Sequence, residues 1–173
     1  NLLRLDKVAM DAAQSGADIL LCPEMFITGY NIGASQAQAL AQTPAAAPER
    51  PVKMVVLGDS LSAGLGLPAT SAFPVRLQKA LGDKGIKVDI TNAGVSGDTS
   101  SGGRDRLDWS VPEGTEAVIV ELGANDALRG IDPAVTRAAL TEILTRLKSR
   151  KIAVLLCGML APPNYGSEYA ARF

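Results

Sequence analysis

The chain has 173 residues, 47% of them hydrophobic, with 17 Lys+Arg against 18 Asp+Glu and no histidine. That is enough to bury a real core as one domain, the near-neutral charge gives no electrostatic basis for a nucleic-acid partner, and no apolar run reaches the roughly 20 residues of a membrane-spanning helix. A mechanism built on a histidine base or a histidine metal ligand cannot be completed by this sequence alone.

Along the chain, Leu5, Val8, Ala9, Ala12 and Ala13 recur at helical spacing, with Gly16 as a stop. Ala17–Cys22 is a short apolar run closed by Pro23, which predicts a buried strand. Residues 34–51 hold almost no large apolar side chain and end in three prolines, so they read as a linker. Their Ala-Gln-Ala stretch looks like the end of an export signal, but the basic start and apolar core of such a signal are lacking upstream, so no working signal peptide is expected.

From residue 52 the pattern becomes regular. Val52–Leu57 predicts a strand. Phe73, Leu77, Ala80 and Leu81 mark a helix ending near Gly82, and Ile86–Ile90 alternates as a second strand. Ala117–Leu122 reads as a third strand. Pro133 opens a helix whose expected buried face is Val135, Ala139, Leu140, Leu144 and Leu147, and Ile152–Leu156 is a fourth strand. Strands separated by helical stretches predict a parallel sheet with helices on both faces. Cys22 and Cys157, the only two cysteines, are expected to be free thiols; no Cys-x-x-Cys spacing exists, and no metal or cofactor is expected.

In parallel α/β sheets the chemistry gathers beyond the carboxyl ends of the strands. The first of these strands runs into Gly58-Asp59-Ser60-Leu61-Ser62-Ala63-Gly64. A serine at the amide-rich start of a helix suits a developing oxyanion; in the plainer reading Asp59 or Ser60 only caps that helix. The second runs into Thr91-Asn92-Ala93-Gly94-Val95-Ser96-Gly97-Asp98-Thr99. Gly94 can present its amide to the same pocket, or serve only as a turn glycine. The third ends in Glu121-Leu122-Gly123-Ala124-Asn125-Asp126. Asn125 can aim its side-chain amide at an oxyanion, or the Asn-Asp pair can cap the helix near Pro133. Leu65, Leu67 and Leu160 hint at an acyl site, with core packing as the expected role.

These blocks, in this order, resemble the SGNH-hydrolase (GDSL) family, in particular its bacterial arylesterase, thioesterase and lysophospholipase members. The resemblance covers residues 52–173. It implies a three-layer α/β/α, flavodoxin-like parallel sheet, with Ser60 as nucleophile and Gly94, Asn125 and the Ser60 amide as oxyanion donors. It also implies a small acyl-ester substrate and relatives that are exported. The family's fourth block, Asp-x-x-His, has no match here. The sheet is therefore expected to be incomplete at its C-terminal end and the chain to hydrolyse esters poorly, because a serine without a base is a weak nucleophile. A second fragment or chain carrying that block is a possible partner, and a non-catalytic acyl- or carboxylate-binding remnant is the alternative.

Residues 1–33 resemble a different family. Gly16-Ala17-Asp18-Ile19-Leu20-Leu21-Cys22-Pro23-Glu24-Met25-Phe26-Ile27-Thr28-Gly29-Tyr30 looks like the amino-terminal part of the nitrilase, or carbon–nitrogen hydrolase, family. There the resemblance makes Glu24 a general base, but the lysine and cysteine it would work with have no matching positions. The chain thus reads as a composite of a nitrilase-like piece (1–33), a linker (34–51) and an esterase-like domain (52–173). A gene fusion, a misassembled reading frame or a deliberate join each produces such a pattern. One further expectation is that the 1–22 helix–strand unit occupies the sheet edge beside the last esterase strand.

Overall fold

The computed structural model describes residues 50–173 and, ahead of them, the backbone of one strand, β1 (Ile19–Cys22). Four further strands follow: β2 (Val52–Gly58), β3 (Val88–Gly94), β4 (Ala117–Glu121) and β5 (Ala153–Cys157). They pair in the order β1-β5-β4-β2-β3, and every pairing is parallel. β1 runs beside β5, with Ile19 opposite Val154 and Cys22 opposite Cys157. The expected helix over Leu5–Ala13 and nearly all of the linker lie outside the described residues.

β2 is central because of what it is made of. Its second half, Val55-Val56-Leu57-Gly58, is buried on both faces, as a strand covered by helices on either side must be. Val55, Leu57, Val118 and Val120 pack on one face against Ile143 and Leu147, and Val56 and Ile119 pack on the other with Phe73 and Leu77. Helix α2 (Phe73–Asp83) covers the second face. The first is covered by α4 (Leu107–Ser110) and α6 (Pro133–Ser149). Shorter helices α1 (Ser60–Ala63), α3 (Ser100–Asp105) and α5 (Ala124–Leu128) follow β2, β3 and β4, and α7 (Gly166–Arg172) lies near the end of the chain.

Two expected elements shift. The second esterase-like strand is Val88–Gly94, not Ile86–Ile90. Ile86 is exposed, and the ladder to β2 runs from Val52–Val88 to Gly58–Gly94. Val88 and Ile90 keep the alternation, with Ile90 packed on the core, and the backbone ladder carries the pairing on through residues 91–94, where that alternation stops. The buried face of α6 is Thr136, Ala139, Ile143 and Leu147, so it is rotated from the expected one; Val135 is exposed and Leu140 and Leu144 are half-buried. Leu65, Leu67 and Leu160, expected in the core, are 71%, 57% and 71% exposed. They lie in loops beyond the sheet ends, where no helix covers them.

The chain reverses direction across the sheet at β2, since β3 lies on one side of it and β4 on the other. A crevice forms at such a switch point, outside the carboxyl ends of the strands. All three sequence blocks begin there.

Ile143 is fully buried between α6 and the sheet. Replacing it with Ala is expected to cost about 3 kcal/mol, within the usual span for large-to-small core changes, read as the shift of the urea unfolding transition.

Candidate active site

The turn after β2 is set by its own residues. Asp59 is the N-cap of α1 and its Oδ1 accepts from the Leu61 amide at 2.9 Å. The Asp59 carbonyl accepts from Ala63, and the Ser60 carbonyl from Gly64 and Leu65. Asp59 thus does cap, as the plainer reading held, and Ser60 is left half-buried at the first helical position. Its hydroxyl and its amide have no hydrogen-bond partner among the described residues. The helix behind it has only four residues, too short for a helix dipole of much weight. Stabilisation of an oxyanion must come from discrete donors.

β3 delivers the second block. Asn92 bridges it to α1: its Nδ2 donates to the Ser62 carbonyl at 3.0 Å and its Oδ1 accepts the Gly94 amide at 2.9 Å. The Gly94 amide is therefore already spent. A Cβ on Gly94 would run into the Ala63 backbone, so this glycine serves the close approach of β3 to α1. In this geometry the Gly94 amide reaches an oxyanion only by giving up Asn92 Oδ1. Three residues on, Gly97 sits at φ +81°, and its amide has no acceptor among the described residues. The sequence reading missed it, although a second glycine in the same block was the available signal.

β4 delivers the third. Asn125 lies in α5, and its Nδ2 donates to Asp59 Oδ2 at 3.0 Å and to the Asp98 carbonyl at 2.9 Å. This amide joins all three blocks. The Asn-Asp pair does not cap the helix near Pro133; Asp132 does, accepting from the Ala134 amide at 2.9 Å. Asp126 is instead buried, accepting from the Ser100 amide at 2.8 Å, the Ser100 hydroxyl and the Thr136 hydroxyl.

Two charged side chains brace this arrangement from below. Arg106 pairs with Asp98 at 2.7 Å, both side chains only 14% exposed. The same guanidinium donates to the carbonyls of Ala93 and Gly58 and to the Ser110 hydroxyl, each at 2.9 Å. It therefore ties the ends of β2 and β3 to the second block. In sequence it sits in Gly103-Arg104-Asp105-Arg106, which reads as a solvated helix face, so nothing local marks it. Glu121, at the end of β4, is buried. Its Oε2 accepts from the Ser62 hydroxyl at 2.8 Å and, at 3.4 Å, from the Asp59 amide, while Oε1 has no partner among the described residues. Burial, and then the charge of nearby Asp59, push its carboxyl up to about 7. Burial also raises the Asp59 carboxyl.

The arrangement offers a hydroxyl nucleophile beside unpaired amides at a switch-point crevice. That is what acyl transfer asks for, less a base to take the hydroxyl proton. Glu24 lies outside the described residues. Among the described residues no cluster of three or more His, Cys, Asp or Glu could hold a metal, and no helix is long and apolar enough to cross a membrane. Cys157 is buried.

Residues 56–173 match the model of the GDSL-like Lipase/Acylhydrolase family. The chain is 41% identical over 137 residues to Esterase TesA of Pseudomonas aeruginosa, covering 79% of this chain and 63% of that protein. It is 39% identical over 129 residues to an arylesterase of Vibrio mimicus, covering 74% and 64%. Among solved structures, AlinE4, described as an SGNH-hydrolase family esterase, matches with a TM-score of 0.69 and 46% identity over 72% of this chain and 67% of that one. The chain spans about three-fifths of the length of the two curated relatives.

Arg106→Ala leaves Asp98 in its near-buried place without a counter-charge, and is expected to cost about 3 kcal/mol in urea unfolding. Arg106→Lys is expected to recover only part, since an ammonium with three donors at one point cannot reach the four separate acceptors that the planar guanidinium fork spans. The unfolded Glu121 carboxyl titrates near 4.5 and the folded one near 7. Between those values the folded chain holds the extra proton. Its contribution to stability is full below about 4.5 and lost as pH rises through 7. Glu121→Gln is expected to remove that slope from a plot of melting temperature against pH.

Proposed function

The chain belongs to the GDSL-like lipase/acylhydrolase family, and from that membership we propose that its site is that of a serine ester hydrolase of the arylesterase, thioesterase or lysophospholipase type. One observation carries the reading: a half-buried Ser60, with hydroxyl and amide both unpaired, stands at the meeting point of the three sheet-end loops.

In this reading Ser60 Oγ attacks the ester carbonyl carbon, and the carbonyl π electrons move onto its oxygen. The Ser60 and Gly97 amides receive that oxyanion, joined by the Asn125 side chain once it gives up one of its two Nδ2 hydrogen bonds. Gly94 supports the hole by letting β3 close on α1 rather than by donating. The tetrahedral intermediate collapses by breaking the bond to the leaving oxygen or sulfur. Water then hydrolyses the acyl-serine. Leu61 on α1 and Val95 on the loop after β3, both exposed, give an apolar surface for a small acyl group.

The Ser60 proton has no histidine to receive it anywhere in these 173 residues. With the base absent, turnover falls by several orders of magnitude, and an oxyanion hole with substrate binding sustains roughly 10³-fold over water. A companion chain bearing an Asp-x-x-His block would supply the base.

The 173-residue chain is expected to hydrolyse p-nitrophenyl acetate slowly, with Ser60→Ala abolishing what there is. Turnover untouched by Ser60→Ala would remove the serine mechanism. Affinity for ethylphosphonate, followed by calorimetry, is expected to drop about tenfold in Asn125→Ala, the order of one lost hydrogen bond to a charged group. Equal affinity in the two proteins would remove Asn125 from the hole.

A further inference from the structure

We propose that Glu121 is a positioning residue for the oxyanion hole: seated beneath the nucleophile turn, it shares one proton with Asp59 and thereby sets how firmly Asp59 holds the Asn125 amide. The inference rests on the hydrolase reading of Ser60 and Asn125.

The geometry begins with crowding. β2 and β4 place Gly58 opposite Glu121 in register, and a Cβ on Gly58 would run into the Ser62 side chain and come within 2.8 Å of Glu121 Oε2. The carboxyl is therefore packed directly under the turn, gripping the residues on either side of Ser60 through the Asp59 amide and the Ser62 hydroxyl. A buried carboxylate with one oxygen unbonded is costly, whereas a carboxylic acid on that oxygen has a proton to give. Asp59, whose amide already rests on Glu121 Oε2, is the neighbouring carboxyl placed to accept it, and the two side chains act on each other's titration.

Asp59 is also the group that holds Asn125. Its Oδ2 takes one Nδ2 proton, and the Asp98 carbonyl takes the other. The amide can serve an oxyanion only by turning one of these away. When Glu121 donates to Asp59, the pair carries one negative charge instead of two and Asp59 pulls less strongly on the amide. When Glu121 ionises, Asp59 tightens on Asn125 and a second negative charge sits under the hole. Both changes oppose an incoming oxyanion.

The other groups facing this pair are few. Asp98, on the loop after β3, acts on Asp59 by its charge and is itself paired with Arg106. On β5 the Cys157 thiol shares the sheet face of Val56 and Ile119, one position beyond the Val120–Leu156 pairing. Among the described residues, Met54, Phe73, Leu77, Ile90 and Leu155 also belong to the apolar part of that face. Glu121 and Asp59 thus form a carboxyl pair whose protons are lost in steps that belong to both.

The test is a magnetic-resonance titration of the full chain from pH 5 to 9 with no ester present. The Glu121 carboxyl carbon and the Asn125 Nδ2 proton pair are followed together, the latter assigned by its loss in Asn125→Ala. The expected result is a Glu121 midpoint near 7, with the Asn125 pair shifting at the same midpoint. In Glu121→Gln the Asn125 pair is expected to stay fixed. An Asn125 pair that is flat in the wild-type chain, or a Glu121 midpoint at or below 5, overturns the positioning role, and both are read without any variant of Glu121 having to fold. An Asn125 pair that still titrates in Glu121→Gln overturns it as well. Because no turnover is read, these results are separate from the p-nitrophenyl acetate assay, which alone decides the hydrolase reading.

Discussion

The carbonyl of Gly58 is the last acceptor of the central strand, one residue before the turn that carries Ser60. It receives the Val95 amide from the second block at 3.0 Å and the Arg106 guanidinium at 2.9 Å. Arg106 spends its other donors on Ala93, Asp98 and Ser110. The ends of two adjacent strands and the loop beyond them are thereby fixed to one rigid planar cation. Neither loop could be placed by packing alone, because both run past the covered part of the sheet into a crevice. A near-buried guanidinium answers this because its fork can bond several carbonyls at once and its charge is balanced by Asp98.

The nucleophile turn is braced on two sides by opposite charge. The peptide between Gly58 and Asp59 gives its carbonyl to Arg106 and its amide to Glu121. Asp59 in turn caps α1 and reaches Asn125. Each polar group that is bonded in this network leaves one fewer to compete for substrate. Among the described residues the Ser60 hydroxyl and the amides of Ser60 and Gly97 remain unpaired on the crevice side, and Glu121 Oε1 remains unpaired beneath it. The site is thus defined as much by where hydrogen bonds are made as by where they are withheld.

Much of the fold was legible in the order of apolar runs. Val52–Leu57, Ala117–Leu122 and Ile152–Leu156 mark three strands of the sheet to within a residue or so, because buried parallel strands need continuous apolar stretches. The bounds of β3 were displaced because its second half, residues 91–94, is held by the backbone ladder and has no apolar alternation to mark it. The face of α6 was rotated because several apolar residues satisfy the helical period and only the neighbouring sheet selects among them. The exposed leucines at 65, 67 and 160 look like core in sequence, and lie outside it only because the loops that carry them leave the sheet.

The site divides in the same way. Ser60, Asn125 and the three blocks stand out in sequence because turn geometry and acyl chemistry restrict which residues can occupy a strand end. The absence of histidine is equally plain from composition. Gly94 and Gly97 are indistinguishable at that level, and only the fold separates them: the Gly94 amide donates to Asn92 Oδ1, while the Gly97 amide has no acceptor among the described residues. Arg106 and Glu121 carry no local signal, since an arginine among charged neighbours and a glutamate at a strand end are ordinary. Burial makes them matter, and burial is a property of the packed sheet. Covalent order along the chain determined which groups reach the crevice; which of them remain free to act was decided only when parallel pairing brought three distant loops within hydrogen-bonding distance.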